Sequence, residues 1–283
     1  MIPVRHISAS SKEPGLTNLF SIRNLSVLLS DKDMVQELHR HDFFYVLVLN
    51  KAAGQHVIDF VPHTITGPEG YFMRPGQVHQ LELAKGSTGF LIQFSTEFYF
   101  PKNSTAHLLL RTASSSNHYP LNAANFNKLE SFLNHIEREY LEKGERYEEA
   151  IMAAMNIFFI ELLRLKKVNV PEKANLYNQE RLDQFRELLE TNIFTHKQVS
   201  EYAEMLHLSV YQLNAIAKAA LGKTCSELIN DQIILEAKRC LLATSRQVNQ
   251  TAYRLGYEDV SYFIRFFKKQ TGYSPEAFRN QYQ

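Results

Sequence analysis

The feature that most restricts the fold of this chain is an internal repeat in its C-terminal half. Apolar residues, a lysine and a glycine recur in the same order: Val199, Ala203, Leu206, Leu213, Ile216, Lys218 and Gly222 are repeated as Val248, Ala252, Leu255, Phe263, Phe266, Lys268 and Gly272. The offset between the copies is 49 residues before the glycine-containing turn and 50 after it, so the second copy has one additional residue there. Such a repeat indicates one supersecondary unit used twice.

The second copy has the pattern of two short helices joined by a tight turn. Gly256 stands where the chain must turn sharply, and Asp259 supplies the acidic group that a helix start favours. Phe263, Phe266 and Phe267 follow at i, i+3 and i+4, which makes one face of the second helix apolar. The Ser-Pro pair at 274–275 is predicted to end the unit.

The outer face of that second helix is polar and basic. The segment Ala237–Gln283 carries eight basic and three acidic residues, a net charge of +5 in a chain whose total is +1. This concentration fits contact with a phosphate backbone. A short helix, a tight turn and a helix with a basic outer face are the plan of a helix-turn-helix.

The stretch Thr251–Arg279 resembles the second helix-turn-helix of the AraC/XylS family of bacterial transcription regulators. The resemblance is carried by Leu255-Gly256-Tyr257, Ser261-Tyr262-Phe263, Arg265-Phe266-Phe267-Lys268, Gly272-Tyr273-Ser274-Pro275 and Phe278-Arg279. It extends over Glu180–Gln283 and includes the connecting helix Ser226–Ala243. It implies a sequence-specific regulator, an activator in most family members, with double-stranded promoter or operator DNA, RNA polymerase and a second copy of the chain as partners. The residues alone do not separate an activator from a repressor.

The resemblance also assigns DNA contacts by position. In the second unit these are Val260, Ser261, Tyr262 and Arg265, with Lys268 and Lys269 suited to phosphates. In the first unit they are Tyr211, Gln212, Asn214 and Ala215, with Lys218 at the position of Lys268. Arginine can pair with guanine, whereas asparagine and glutamine can read adenine. Because Ala215 stands where the second unit has Arg265, we expect the second unit to provide most of the base discrimination.

The N-terminal part has short β-type runs between turn residues. The candidate strands are Ser26–Leu29, Phe43–Leu49, His56–Phe60, Gly70–Arg74, Gln80–Leu83 and Gly89–Phe94. Their number and spacing predict a β-sandwich or barrel. His39-Arg40-His41 and Pro75-Gly76-Gln77-Val78-His79 resemble motifs of the cupin-like barrel that many AraC-type regulators carry. The resemblance implies that this barrel binds a small-molecule effector.

The first candidates for effector contacts are five side chains near those motifs: His39, His41, Tyr45, Arg74 and His79. In metal-binding cupins, histidines of this kind ligate an ion together with a carboxylate. The glutamate expected a few residues after His41 is missing, since residues 43–46 are Phe, Phe, Tyr and Val. Polar lining or structural hydrogen bonding is therefore favoured over metal ligation, and no metal or cofactor is expected. His56 and His63 are assigned to the surface or to turns.

Two long helices follow the strands, and the second, Tyr147–Leu165, is apolar nearly all round because Ile157 and Ile160 widen its stripe. Such a helix is either a core helix of its domain or a dimer surface. The predicted organisation is α+β: a cupin-like sensor and dimerisation domain in residues 1–168, a linker in 169–178, and an all-α double helix-turn-helix domain in 179–283.

The remaining features describe an ordinary bacterial cytoplasmic, nucleoid-associated protein. Cys225 and Cys240 lie in apolar helical patterns without a CxxC motif, which indicates reduced thiols. No signal peptide or membrane-spanning run is evident, and no catalytic residue is predicted. The competing hypothesis is a cupin-type metalloenzyme, a dioxygenase or isomerase, with an accessory DNA-binding domain. It requires a transition metal at the three histidines of the two cupin-like motifs.

Overall fold

The computed structural model describes residues 2–7, 19–99, 104–165, 173–243 and 247–282. The chain forms two compact units, Pro3–Val168 and Asn169–Gln283 with Met1–Ile2. The strands of the first unit are β1 (Val4–Arg5), β2 (Phe20–Asn24), β3 (Met34–His41), β4 (Phe44–Leu49), β5 (Gly54–Ile58), β6 (Val61–Ile65), β7 (Glu69–Met73), β8 (Val78–Leu83), β9 (Gly89–Phe94) and β10 (His118–Pro120). Its helices are α1 (Leu25–Leu28), α2 (Ser104–Ser114), α3 (Ala123–Glu142) and α4 (Tyr147–Leu165).

The strands of this unit form two five-stranded sheets, ordered β1-β3-β8-β5-β6 and β10-β7-β4-β9-β2. Strand β4 is buried on both faces, and its side chains alternate between two cores. Val46 packs in one core with Phe159 of α4, whereas Leu47 packs in the other with Leu81 of β8. The unit therefore has three layers: the first sheet, the second sheet, and the helices on the second sheet's outer face. Two packed sheets are the jelly-roll arrangement of cupins, which confirms the predicted fold class.

The local predictions for this unit need several corrections. The sheets are open rather than one closed barrel. The segment predicted as the strand Ser26–Leu29 lies largely in helix α1, because the side chain of Asn24 accepts a hydrogen bond from the Ser26 N–H at 3.0 Å and caps a helical turn. Strand β3 was missed and contains His39 and His41. Strand β1, which is not among the candidate strands, pairs in parallel with the end of β3.

The second unit is all-helical in its described part. Its helices are α5 (Lys173–Asn192), α6 (Val199–Met205), α7 (Val210–Leu221), α8 (Cys225–Ala243), α9 (Val248–Arg254), α10 (Val260–Thr271) and α11 (Pro275–Gln281). The repeat appears as the pairs α6–α7 and α9–α10, with α8 between them. Gly222 and Gly272 occupy equivalent left-handed positions, with φ of 69° and 82°, where they end α7 and α10.

Two boundaries in this unit differ from those predicted. The Ser-Pro pair begins a helix rather than ending the unit: Ser274 Oγ accepts a hydrogen bond from the Ala277 N–H, and Pro275 occupies the first turn of α11, where its missing N–H costs nothing. Helix α5 starts at Lys173, so residues 173–178 of the predicted linker are helical, and residues 169–172 lie outside the described ranges. Among the described helices, none is long and apolar enough to cross a bilayer.

Candidate nucleic-acid interface and histidine cluster

Helix α10 separates a buried apolar face from an exposed polar face. Phe263 and Phe267 are fully buried, and Phe266 is partly buried against the core of helices α5–α8. Val260 is half-buried at the start of the helix. The other side chains that the sequence assigned to DNA in this unit are all exposed: Ser261, Tyr262, Arg265, Lys268 and Lys269. The helix thus presents a continuous basic and hydrogen-bonding surface on an apolar anchor.

Asp259 fixes the start of this helix. Its Oδ1 accepts hydrogen bonds from the Ser261 and Tyr262 N–H groups at 2.8 and 3.1 Å. Its other oxygen lies 4.0 Å from Nη2 of Arg265, and the two side chains are 64% and 70% exposed. A long, solvent-exposed ion pair of this kind is weak. Arg265 therefore remains available for another partner.

The turn before α10 depends on glycine. Gly256 has φ of +72°, and a Cβ built on it would lie 2.5 Å from the carbonyl oxygen of Phe194. The turn is thus pressed against the backbone of the α5–α6 connection. Lys197, from the same connection, lies 5.4 Å from the centre of the Tyr257 ring. The second helix-turn-helix is consequently held against the first part of its own unit.

The recognition helix of the first unit, α7, uses its polar side chains differently. Asn214 Nδ2 donates to the Val210 carbonyl at 3.0 Å, and its Oδ1 accepts from the Cys225 N–H at 2.9 Å. Gln212 Oε1 accepts from the Ser209 N–H at 2.9 Å in a capping box. The amides predicted to read adenine are therefore engaged within the chain. Tyr211, which is 83% exposed, and Lys218 extend into solvent.

In the N-terminal unit, Pro3–Val168, three predicted histidines meet in the core between the sheets. His39 and His41 come from β3, and His79 comes from the neighbouring strand β8, directly opposite His39. The Nε2 atom of His79 lies 2.8 Å from Nε2 of His41 and 2.9 Å from Nε2 of His39. All three are almost completely buried, with exposures of 0 to 3%. The two cupin-like motifs are thus joined at one point.

A fourth histidine completes this cluster and was not predicted. His56, assigned from the sequence to the surface or a turn, is fully buried in β5, and its Nε2 lies 2.9 Å from Nδ1 of His79. The assignment was wrong because β5 pairs with β8, which brings His56 inside. The sequence does contain a signal: His56 and the apolar Ile58 alternate as residues on one face of a strand do.

Burial keeps the rings of this cluster neutral. Removal from water lowers the pKa of His39 to about 4 and the pKa values of His41 and His56 to about 3. The same cause holds the pKa of His79 well below its usual range. Near neutral pH, each ring therefore carries one proton and one lone pair.

The other two predicted effector contacts lie in different surroundings. The ring of Tyr45 stacks on that of His41 with centroids 5.2 Å apart, and burial raises the pKa of its hydroxyl. Arg74 lies in the turn between β7 and β8, where its backbone N–H donates to Gln77 Oε1 at 2.8 Å. Tyr45 is therefore part of the histidine cluster, whereas the described contacts of Arg74 tie it to the turn.

A cavity of about 590 Å³ adjoins the histidine cluster within this unit. His41 belongs to its wall, together with three basic side chains, Arg5, Arg23 and Lys32, and one acidic side chain, Asp33. The remaining wall includes Leu28, Phe43 and Leu91. The sequence did not indicate these basic residues, since they lie outside the two cupin-like motifs. A cavity of this size, with both apolar and charged side chains in its wall, can hold a small organic molecule.

Comparison with known proteins places these sites in context. A model described as a helix-turn-helix domain matches residues 202–281, which span both repeats. The transcriptional activator RhaS of Enterobacter sp. (strain 638) is 24% identical over 245 residues, covering 85% of this chain and 86% of that protein. RhaS of Klebsiella pneumoniae (strain 342) is 25% identical over 244 residues, with the same shares covered. The solved structure of unsaturated fatty acid-bound wild-type ToxT from Vibrio cholerae is 16% identical, with a TM-score of 0.44, covering 92% of this chain and 95% of that one.

Two helix-turn-helix units in tandem, each presenting an exposed recognition helix, define a DNA-binding transcription regulator. The matched domain and the full-length relatives agree with this class. Over most of its length the chain is similar to curated transcriptional activators, which agrees with the resemblance of its sequence to the AraC/XylS family.

Proposed function

We propose that this regulator is a transcription activator that binds one specific duplex sequence through α7 and α10. The observation that supports this most directly is the exposed face of α10, which carries a guanidinium, two lysines, a serine and a tyrosine. Arg265 is proposed to pair with a guanine, with Ser261 and Tyr262 beside it on bases or phosphates. Lys268 and Lys269 are proposed to contact the phosphate backbone.

The first recognition helix is proposed to set the register of the complex. Tyr211 and Lys218 are its exposed side chains, and they suit contacts with sugar and phosphate. Gln212 and Asn214 are proposed to stabilise the unit instead of reading bases, because their oxygen atoms already accept hydrogen bonds. Two recognition helices on one chain would contact major-groove segments about 10 base pairs apart.

The N-terminal unit is proposed to bind an anionic effector in its cavity. Three basic side chains against one acidic one in the wall favour a carboxylate or phosphate over a neutral ligand. An effector that binds one arrangement of the regulator better than another would shift the population toward it, which is the physical basis of ligand control. Of the five residues that the sequence assigned to effector contacts, His41 alone belongs to the wall of this cavity.

The regulator is proposed to act as a homodimer in the bacterial cytoplasm, with RNA polymerase as a further partner. Helix α4 buries one face in the core, while Ile157 and Ile160 remain 46% and 39% exposed on the other. These two side chains are proposed to meet a second copy of the chain. A charged substitution, Ile157→Glu, should convert the dimer to monomer in sedimentation velocity, whereas Glu149→Gln on the same helix should not. An unchanged mass for Ile157→Glu would remove α4 from the interface.

Selection of binding sites from a pool of random duplexes, using the full chain, tests the DNA-binding proposal. We expect one enriched sequence in which a guanine is invariant, because Arg265 contacts it. The footprint of the protein on this duplex should span two successive major grooves. The matched control is Lys51→Ala in the other unit, which should enrich the same sequence. Enrichment of no sequence above the input pool would contradict the proposal of specific recognition.

A thermal-shift screen tests the effector proposal. The full chain is heated with small carboxylates, phosphorylated sugars and their neutral counterparts. We expect an anionic compound to raise the Tm, and Arg23→Gln to abolish the shift while Lys51→Gln preserves it. A shift caused equally by neutral compounds, or one that Arg23→Gln leaves intact, would contradict an anionic effector in this cavity.

A further inference from the structure

We propose that His39, His41 and His79 bind a divalent transition-metal ion through their Nε2 atoms. The site lies on the inner face of the first sheet and joins β3 to β8. From the sequence alone, polar lining was favoured because the expected glutamate is missing. The arrangement of the rings reverses that preference, for reasons that concern distance, protons and the partners of each ring.

The distances between the ring nitrogens are close to those of a metal site. One nitrogen from each of the three rings lies within 4.8 Å of the other two. Zinc binds imidazole nitrogen at about 2.0–2.1 Å, and a tetrahedral arrangement then separates two ligand nitrogens by about 3.3 Å. The observed separations of 2.8 and 2.9 Å at His79 lie slightly below that value. A small rotation of the rings would therefore admit an ion between them.

Hydrogen bonds between neutral rings satisfy only one of these two contacts at a time. The Nδ1 of His39 lies 2.7 Å from the Glu37 carbonyl oxygen, which can only accept, so the proton of His39 is on Nδ1 and its Nε2 has a lone pair. The Nε2 of His79 faces two neighbouring nitrogens, and each choice of tautomer for His79 and His41 gives a linear hydrogen bond to one of them and leaves the other contact without its own proton. Two lone pairs at less than 3 Å repel one another. A cation between the three nitrogens removes this repulsion, because each lone pair then becomes a ligand.

The outer partners of the rings have the chemistry found around metal-bound histidines. Such histidines donate their second ring N–H to a carbonyl or another acceptor, which fixes the ring orientation. His39 donates to the Glu37 carbonyl, and His56 Nε2, 2.9 Å from His79 Nδ1, accepts from it when His79 carries its proton on Nδ1. His56 is thus a positioning residue for His79. In this tautomer, both His39 and His79 present lone pairs to the common point.

The ligand set indicates which ions fit. Imidazole nitrogen suits zinc, iron, nickel and copper, whereas calcium and magnesium require oxygen ligands. Three neutral imidazoles leave the full charge of a divalent ion uncompensated and at least one coordination position for a further ligand. Because His41 also belongs to the wall of the 590 Å³ cavity, an ion here would add positive charge beside the basic side chains.

Titration of metal-free full-length protein with Co²⁺ and Zn²⁺ tests this proposal. We expect one ion per chain by calorimetry, with visible absorption bands of nitrogen-ligated Co²⁺. His41→Asn should weaken binding by about 100-fold or more, and His56→Phe by about 10- to 100-fold. The control is His63→Asn, a partly exposed histidine that lies beside His118 rather than in the cluster, and it should leave the affinity unchanged. Circular dichroism and thermal denaturation of the full chain verify that each variant is folded.

X-ray absorption on the wild-type zinc complex decides the question even where a variant does not fold. We expect three imidazole ligands at about 2.0–2.1 Å. Fewer than three imidazoles, no binding by the wild-type protein, or a loss of binding in His63→Asn but not in His41→Asn would overturn the proposal. Since these readouts do not involve effector or operator, they are independent of the proposed regulatory function.

Discussion

The two helix-turn-helix units are built on the same repeat but use their recognition helices differently. At the start of α10, Asp259 caps the helix alone, and the following side chains remain exposed. At the start of α7, Ser209 and Gln212 cap each other, and Asn214 reaches across to the first residue of α8. The second unit therefore presents its polar groups to solvent, whereas the first uses them to hold its helices together.

The turns of the two helix-turn-helix units also differ. Gly256 in the second turn and its counterpart His207 in the first both have positive φ, +72° and +54°. Histidine tolerates this conformation at a modest cost where space permits. His207 is exposed, whereas the second turn is pressed against the carbonyl of Phe194, which leaves no space for a Cβ. The same repeat thus occurs with two kinds of turn: the first is open to solvent, and the second packs against the connection between α5 and α6.

The largest expected effect comes from adding one methyl group at that docked turn. Gly256→Ala should destabilise the second unit by about 3 kcal/mol, because left-handed strain and a backbone clash act together. Gly272→Ala is the matched control: it has similar φ but no atom within 4 Å of the added Cβ, so only about 1 kcal/mol is expected. Urea denaturation of the full chain measures both. Equal losses would show that the contact with Phe194 does not limit the turn.

Next in size is the loss of the guanidinium on α10. Arg265→Ala should weaken binding to the selected duplex by about 1–3 kcal/mol and weaken binding to random duplex much less. Lys269→Ala should weaken both by similar factors and reduce the salt dependence of binding. Fluorescence anisotropy at several salt concentrations separates the two effects. If Arg265→Ala behaves as Lys269→Ala does, then Arg265 contacts phosphate and base discrimination lies elsewhere.

How far the sequence predicts this molecule depends on the range of the interactions concerned. Helix α4 was predicted with its observed bounds, Tyr147–Leu165, because helical periodicity is visible within a few turns of chain. The strands were less predictable. Strand β3 has no strict alternation of apolar and polar residues, and the turn at α1 depends on one cap from Asn24. Pairing between distant strands decides which face is inside, and a single sequence does not contain that register.

The same limit applies to the sites. The motifs identified His39, His41 and His79, but their convergence on one point follows from the pairing of β3 with β8. His56 was misassigned because its position depends on β5 pairing with β8. Similarly, the chemistry of Asn214 suited adenine, and only the fold reveals that Cys225 already occupies its oxygen. Residue type indicates what a side chain can do, and the tertiary partners decide what it does.

Asn214→Ala tests whether this side chain stabilises the first helix-turn-helix or reads a base. The Cys225 N–H, at a fully buried residue, would lose its acceptor, so we expect a loss of about 1–2 kcal/mol in the free energy of unfolding. The sequence preference of the protein should not change. Urea denaturation and repeated site selection provide the two readouts. A relaxed preference at an adenine without loss of stability would restore Asn214 as a base-reading residue.

The smallest effect is expected at the capping box of α7. Gln212→Ala removes the acceptor for the Ser209 N–H but leaves the Ser209 hydroxyl to cap the Gln212 position, so a loss of about 0.5 kcal/mol is expected. Tyr262→Ala, at the equivalent position of α10, should instead weaken DNA binding, because this side chain is 53% exposed and its hydroxyl takes no part in the cap. Both quantities are measured on both variants. We expect Gln212→Ala to lower stability more than DNA affinity, and Tyr262→Ala to lower DNA affinity more than stability. Matching patterns would mean that the two recognition helices perform the same task.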